Sequence, residues 1–229
     1  MILRVAAAVA LAGAALALLA YLQLAGHGPF TSAEARHLRE MKERAAVPRA
    51  PEPLTFAGFA ALPHGAPLAA YAPLERRAVS LEGYTAGMLR ATDGDYHLEI
   101  VALARRPGDR DTLYVTGEIT GVSRAPHPSW RYEALRQALC PVSGDGPPLG
   151  RPTARVRISG WLLYDFQYDG QAADTDPVRA LWNRLNRTRR APAPGPRSTW
   201  PRLSGWEIHP VTGIEVWDDS RAAWRGLGP

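Results

Sequence analysis

One cysteine, Cys140, and one lysine, Lys42, stand in 229 residues. The lone cysteine excludes an intramolecular disulfide and any zinc or iron–sulfur site built from several thiolates. Next to Leu139 it reads as a small buried hydrophobe rather than a nucleophile. With so little lysine, the net charge of +5 is carried almost wholly by guanidinium groups, whose forks suit phosphate and carboxylate oxygens. The alternative is that the arginines simply solvate the surface. The sequence also lacks an H-E-x-x-H helix, a Walker loop and a G-x-S-x-G elbow, which disfavours the enzymes those motifs mark.

What is present begins with apolar material: 46% of the residues are hydrophobic, with 21 glycines and 21 prolines. That suffices for one core joined by long connections. Residues 5–22 carry no charge, a length at the lower end of what crosses the hydrocarbon layer as a helix. Residues 1–26 are therefore expected to be a transmembrane anchor or a signal peptide. An uncleaved anchor is preferred, because no clean small-x-small site lies just past Leu22, where Gln23 and Leu24 lead into Ala25. The remainder is expected on the extracytoplasmic side of a bacterial membrane.

Residues 27–74 read as a short helix and a proline-rich linker. Thr31 and Glu34 form a capping-box pattern that opens a charged helix ending before Pro48. Prolines then recur to Pro73, with Phe56, Phe59, Leu62 and Tyr71 between them. Such a stretch is neither regular helix nor central strand. It is either a semi-rigid spacer or a strap whose aromatic residues pack on the domain that follows.

From residue 75 to 229 the period changes to two. Segments 79–88, 95–103, 112–120, 155–165 and 205–217 alternate or run apolar, with turn residues between them. Between the third and fourth, over 128–139, Trp130, Ala134, Leu135 and Leu139 recur at helical spacing and Pro141 stops the run. The fold class is thus mainly β: a five-stranded OB-like barrel with one short helix between strands 3 and 4, preceded by an N-terminal transmembrane helix. A sandwich with a stray helix would read similarly.

The last connection, 166–203, is long and basic. Asp176 and Pro177 open a helix with Val178, Leu181, Trp182 and Leu185 on one face, and Arg179, Arg184, Arg187, Arg189 and Arg190 crowd the rest. Arg184 and Arg187 are candidate ligand-binding residues toward nucleic acid or anionic lipid. The alternative is a loop helix that caps the barrel with solvated arginines.

Chemistry-bearing side chains fall at comparable positions in three strands. Asp95, His97 and Glu99 alternate at the start of the second, Asp165 closes the fourth, and Glu207 and His209 alternate at the start of the fifth. In a barrel of this kind those three ends share one rim. Asp95, His97, Asp165, Glu207 and His209 are therefore candidate ligand-binding residues. His97, Glu207 and His209 are the candidates for acid–base catalysis and for holding a divalent metal as cofactor. Ordinary outward polar residues would give the same pattern.

The stretch Asp95-Tyr96-His97-Leu98 and the later Trp206-Glu207-Ile208-His209-Pro210-Val211 resemble an uncharacterised bacterial family of OB-like β-barrel proteins. Its members pair a D-x-H-L strand with a terminal E-x-H-P-V strand. The strand end Gly160 to Asp165 is similar to the family's G-x-x-x-x-D. Related sequences are expected to carry a histidine soon after that aspartate, where this chain has Gln167 and Tyr168. The resemblance brings no established activity. Three functions follow: a binding module for a polyanionic or oligosaccharide ligand, with Tyr114, Trp161 and Trp200 as stacking surfaces; a metal-assisted, phosphodiesterase-like hydrolase; or a scaffold that docks another membrane protein.

Overall fold

The structure, a computed structural model, describes residues 11–20, 32–91, 93–102, 113–140, 154–168 and 202–228. Two units are distinguished, Met1–Lys42 and Glu43–Pro229. In the first, residues 11–20 are helical and exposed throughout, and helix α1 spans Ala33–Lys42. Ser32 caps α1 by accepting the Ala35 N–H at 3.1 Å, while Glu34 in its first turn and Arg39 and Lys42 in its last suit the helix dipole. The expected cap at Thr31 lies outside the described residues. The transmembrane helix expected over 5–22 is not found: no helix among the described residues is long and apolar enough to cross a membrane, and residues 5–10 and 21–22 are outside them.

In the second unit the proline-rich stretch is a strap. Strand β1 (Glu52–Pro53) adds a parallel edge to β2 (Ala78–Arg90). Helices α2 (Phe56–Ala60) and α3 (Ala72–Glu75) form between the prolines, α2 capped by Thr55, whose hydroxyl accepts the Gly58 N–H at 3.0 Å. Phe59, Leu62 and Tyr71 are buried in the main core. Tyr71 lies on Tyr164 with ring centres 4.1 Å apart and meets Trp206 edge-on at 5.4 Å. An aromatic buried as completely as Phe59 contributes about 2–3 kcal/mol, enough to hold so short a segment against the sheet.

The barrel closes around β2. Its second half pairs antiparallel with β3 (Tyr96–Val101) and its first half with β5 (Arg155–Tyr164), so one long strand serves two neighbours. β3 pairs antiparallel with β4 (Tyr114–Ile119), β4 pairs parallel with β6 (Trp206–Asp218), and β6 returns antiparallel to β5. The circuit β2-β3-β4-β6-β5-β2 is a closed five-stranded barrel. Leu81, Leu98, Ile100, Ile158, Leu162 and Ile208 fill it. Two close approaches require glycine: a Cβ at Gly117 would meet Ile158 and Val211 in the interior, and one at Gly160 would meet the Pro210 carbonyl where β5 and β6 bulge.

The β4 to β5 connection carries two helices, α4 (Gly121–Arg124) and α5 (Tyr132–Leu139). Leu135 and Leu139 of α5, with Trp130 before it, join the core at the barrel end. The helix starts at Tyr132 rather than 128 because Arg131 is extended at the cap position. A further strand, β7 (Ala223–Gly226), pairs with the end of β6. Its four residues are too few to display a period.

Candidate functional site

Alternation sends Leu98 and Ile100 of β3, Val115 and Ile119 of β4, and Trp206 and Ile208 of β6 into the core. It sends His97, Glu99, Glu118, Glu207 and His209 to the outer side. In the antiparallel register His97 faces Glu118, and the parallel pairing of Gly117 with Ile208 sets Glu118 beside His209. Outward side chains of a barrel are ordinarily wet. Here Glu207 and His209 are 0% exposed, Glu118 1% and Glu99 5%.

The side chains form a chain of contacts. His97 Nε2 is 3.2 Å from Glu118 Oε1, and Glu118 Oε2 is 3.1 Å from His209 Nδ1. The same Nδ1 is 2.7 Å from Glu207 Oε1, and the other oxygen of Glu207 takes a hydrogen bond from Arg202. An imidazole Nδ1 carries at most one proton, so it can donate to only one of its two flanking carboxylates. His209 Nε2 is buried and makes no hydrogen bond among the described residues. Asp95, half-buried, accepts the Gly121 N–H at 3.2 Å, and ligand atoms of Asp95, Glu118 and His209 all lie within 4.8 Å of one another.

Arg202 and Leu203 lie against this face. The Leu203 N–H donates to the Tyr114 carbonyl at 2.7 Å, and Arg202 donates through Nε to the Ser204 carbonyl while its guanidinium lies 3.8 Å over the Tyr168 ring. Desolvation pulls the Arg202 guanidinium down, but Glu207 first, then Tyr168, Tyr114 and Asp165, outweigh it and hold the group above its ordinary value. Burial pushes the Tyr168 phenol up; Arg202 lowers it, and the carboxylates of Glu207, Asp165 and Glu118 raise it further. On the strap side Arg44 donates to the carbonyls of Glu75, Leu162 and His209 at 2.6, 3.0 and 2.8 Å, which pins the backbone of His209.

Of the residues singled out from the sequence, Asp95, His97, Glu207 and His209 come together, with Glu118 between the two imidazoles. Asp165, 2% exposed, acts through its field on Arg202 and Tyr168. Arg184, Arg187, the helix opening at Asp176, and Trp200 lie outside the described residues. Trp161 is less free for stacking than expected: its indole N–H donates to the Ala46 carbonyl at 2.6 Å under the Arg44 guanidinium. Cys140 is half-buried and its thiol is pushed up to about 11, chiefly by burial, which suits a filler rather than a nucleophile.

Two members of the cluster were missed by sequence reasoning. Glu118 alternates with Thr116 and Thr120 on the outward side of its strand, a signal that the register with His97 makes meaningful. Arg202 follows a proline-rich stretch and offers no local signal. Two grooves among the described residues, one along Trp130, Leu135 and Leu227 and one along Arg90, Tyr96 and Tyr132, include no member of the cluster. No protein-family model matches the chain, and no curated protein matches it.

Proposed function

We propose that the chain is an OB-like binding module, tethered in or exported across a bacterial membrane, that holds a small ionic or polar ligand on the outer face of β3, β4 and β6. One observation carries this reading: carboxylates and imidazoles that alternation turns outward are nevertheless kept from water, Glu118 at 1% and His209 at 0% exposure. Withdrawing such groups from water costs several kcal/mol each unless pairing is complete. Buried ionisable groups gathered on one face are characteristic of a functional site. The two motifs behind the family resemblance, D-x-H-L and E-x-H-P-V, supply Asp95, His97, Glu207 and His209 of this face.

The face is rich in carboxylates and does not itself suit a polyanion. A polyanionic ligand would be met by the basic connection with Arg184 and Arg187. The second reading, metal-assisted hydrolysis of a phosphodiester, is favoured by the His97 side chain, whose 19% exposure leaves its imidazole reachable from solvent beside Glu118.

The test is the double substitution Glu118→Leu with His209→Leu, followed by denaturant unfolding. Replacing a buried ionic pair with apolar residues of similar volume is typically neutral or stabilising by about 1–4 kcal/mol. An unchanged or higher stability supports a site maintained for binding. A loss above about 3 kcal/mol would make the cluster part of the fold's own framework and end the binding reading.

A further inference from the structure

We infer that the groove between the end of β2, the start of β3 and the first turn of α5 binds a soluble phosphate monoester of mononucleotide size. Arg90 and Arg131 hold its phosphate, and its planar organic body lies along the tyrosine wall between them. The groove has a volume of about 530 Å3, within the roughly 300–1,000 Å3 typical of sites for small organic ligands. It includes no member of the carboxylate and imidazole cluster, and its ligand is independent of whatever that face holds.

Strand pairing builds one side of the groove. Arg90, the last residue of β2, lies directly across from Tyr96, the first of β3. Residues opposite one another in an antiparallel pair share a face of the sheet. Helix α5 builds the other side. Its first residue, Tyr132, meets Tyr96 edge-on with ring centres 5.2 Å apart, and the Tyr132 hydroxyl donates to the Met88 carbonyl at 3.3 Å. The Arg124 guanidinium lies 4.0 Å over the Tyr96 ring and donates to the Ile119 carbonyl at 2.9 Å. Both rings are therefore fixed in advance, which removes an ordering cost from binding.

The two guanidiniums at the groove are not fixed in this way. Arg90 and Arg131 are exposed, and neither makes a hydrogen bond, an ion pair or a ring contact among the described residues. Arg77, Arg155, Arg157, Arg202 and Arg221, by contrast, each hold a carboxylate. The one carboxylate lining the groove, Glu133, is engaged by Arg136 at 3.1 Å. Two uncommitted cations thus flank a tyrosine wall.

That combination selects the ligand. A phosphate monoester carries about 1.5–2 negative charges near neutral pH, and its oxygens match guanidinium forks. A carboxylate brings a single charge and leaves one arginine over. A phosphate group alone is far smaller than the groove, whereas tyrosine rings beside the guanidiniums offer a surface on which a planar, base-like ring packs.

The experiment is calorimetric titration of the full-length chain, in mild detergent at physiological salt, with adenosine and uridine 5′-monophosphates. Inorganic phosphate and adenosine are titrated in parallel, and circular dichroism reports the fold of each variant. The wild type is expected to bind a monophosphate at least about 10-fold more tightly than either fragment. Arg90→Gln and Arg131→Gln should each weaken it about 10-fold, as the loss of a charge-assisted hydrogen bond does. Both side chains are exposed, so the variants should fold. Glu133→Gln should tighten binding. Arg225→Gln, which removes an equal charge from the groove beside Trp130 and Leu227, should change it less than about two-fold, since salt screens distant exposed charges.

A folded wild type that binds neither monophosphate overturns the inference. So does binding that Arg90→Gln and Arg131→Gln leave unchanged, or that Arg225→Gln weakens equally, which marks a diffuse effect of net charge. Equal affinity for inorganic phosphate overturns it as well, because the tyrosine wall then contributes nothing.

Discussion

Two outward faces of one barrel treat charge in opposite ways. Toward the far ends of β5 and β6, Arg155 meets Glu82 and Arg157 grips Glu215 through two hydrogen bonds of 2.6 and 2.8 Å, with Trp217 and Trp224 packed alongside at 5.3 Å. There each carboxylate has its own guanidinium, and the Arg157 pair is more than one-third exposed on both sides. At the near ends of β3, β4 and β6, carboxylates and imidazoles share one another: Glu118 lies between His97 and His209, Glu207 between His209 and Arg202, and Glu118, Glu207 and His209 are buried. Exposed one-to-one pairs contribute little and cost little. Buried charges cost much more to withdraw from water.

The largest expected difference between the faces comes from deleting one guanidinium on each. Arg202→Ala should destabilise the protein by about 3–5 kcal/mol, because it leaves the Glu207 carboxylate buried without its cation. Arg157→Ala, on the exposed ladder, should cost at most about 1 kcal/mol. Urea unfolding of the two variants checks both, and equal losses would erase the distinction.

A third place is the apolar barrel end, where burial, ahead of Thr85, Glu99 and Arg136, sets the Cys140 thiol. Its pKa rises from 9.0 unfolded to about 11 folded. The folded state therefore holds a proton that the unfolded chain has released. The associated stability is complete below pH 9 and is lost as pH rises from 9 to 11, by about 2–3 kcal/mol. Cys140→Ala should remove that slope. Arg44, whose buried guanidinium is pulled down to about 10, has the opposite sign, since a depressed cation makes stability climb above that pH. The difference between wild type and Cys140→Ala isolates the thiol. The smallest effect should be Glu215→Gln, within about 1 kcal/mol and shrinking further in high salt.

The fold was legible because barrel strands are local patterns. Each of the five expected segments overlaps an observed strand closely, and the helix between the third and fourth is present, four residues shorter at its start. The strap admits two readings from the sequence, since prolines with interspersed aromatics do not say whether anything lies beneath them. Tyr71 against Tyr164 decides it. β7 is not legible in the sequence because four residues cannot display a period.

By itself the sequence determined the strands, the alternation, and hence that Asp95, His97, Glu207 and His209 leave the core on one side. Side-chain direction in a strand has a period of two residues and needs no knowledge of the partner strand. Only the tertiary structure decided that Glu118 sits between the two imidazoles, that Arg202 folds back onto Glu207, and that Glu118, Glu207 and His209 are buried. Register and cover are non-local: they depend on which strands pair and on what a distant loop lays across them.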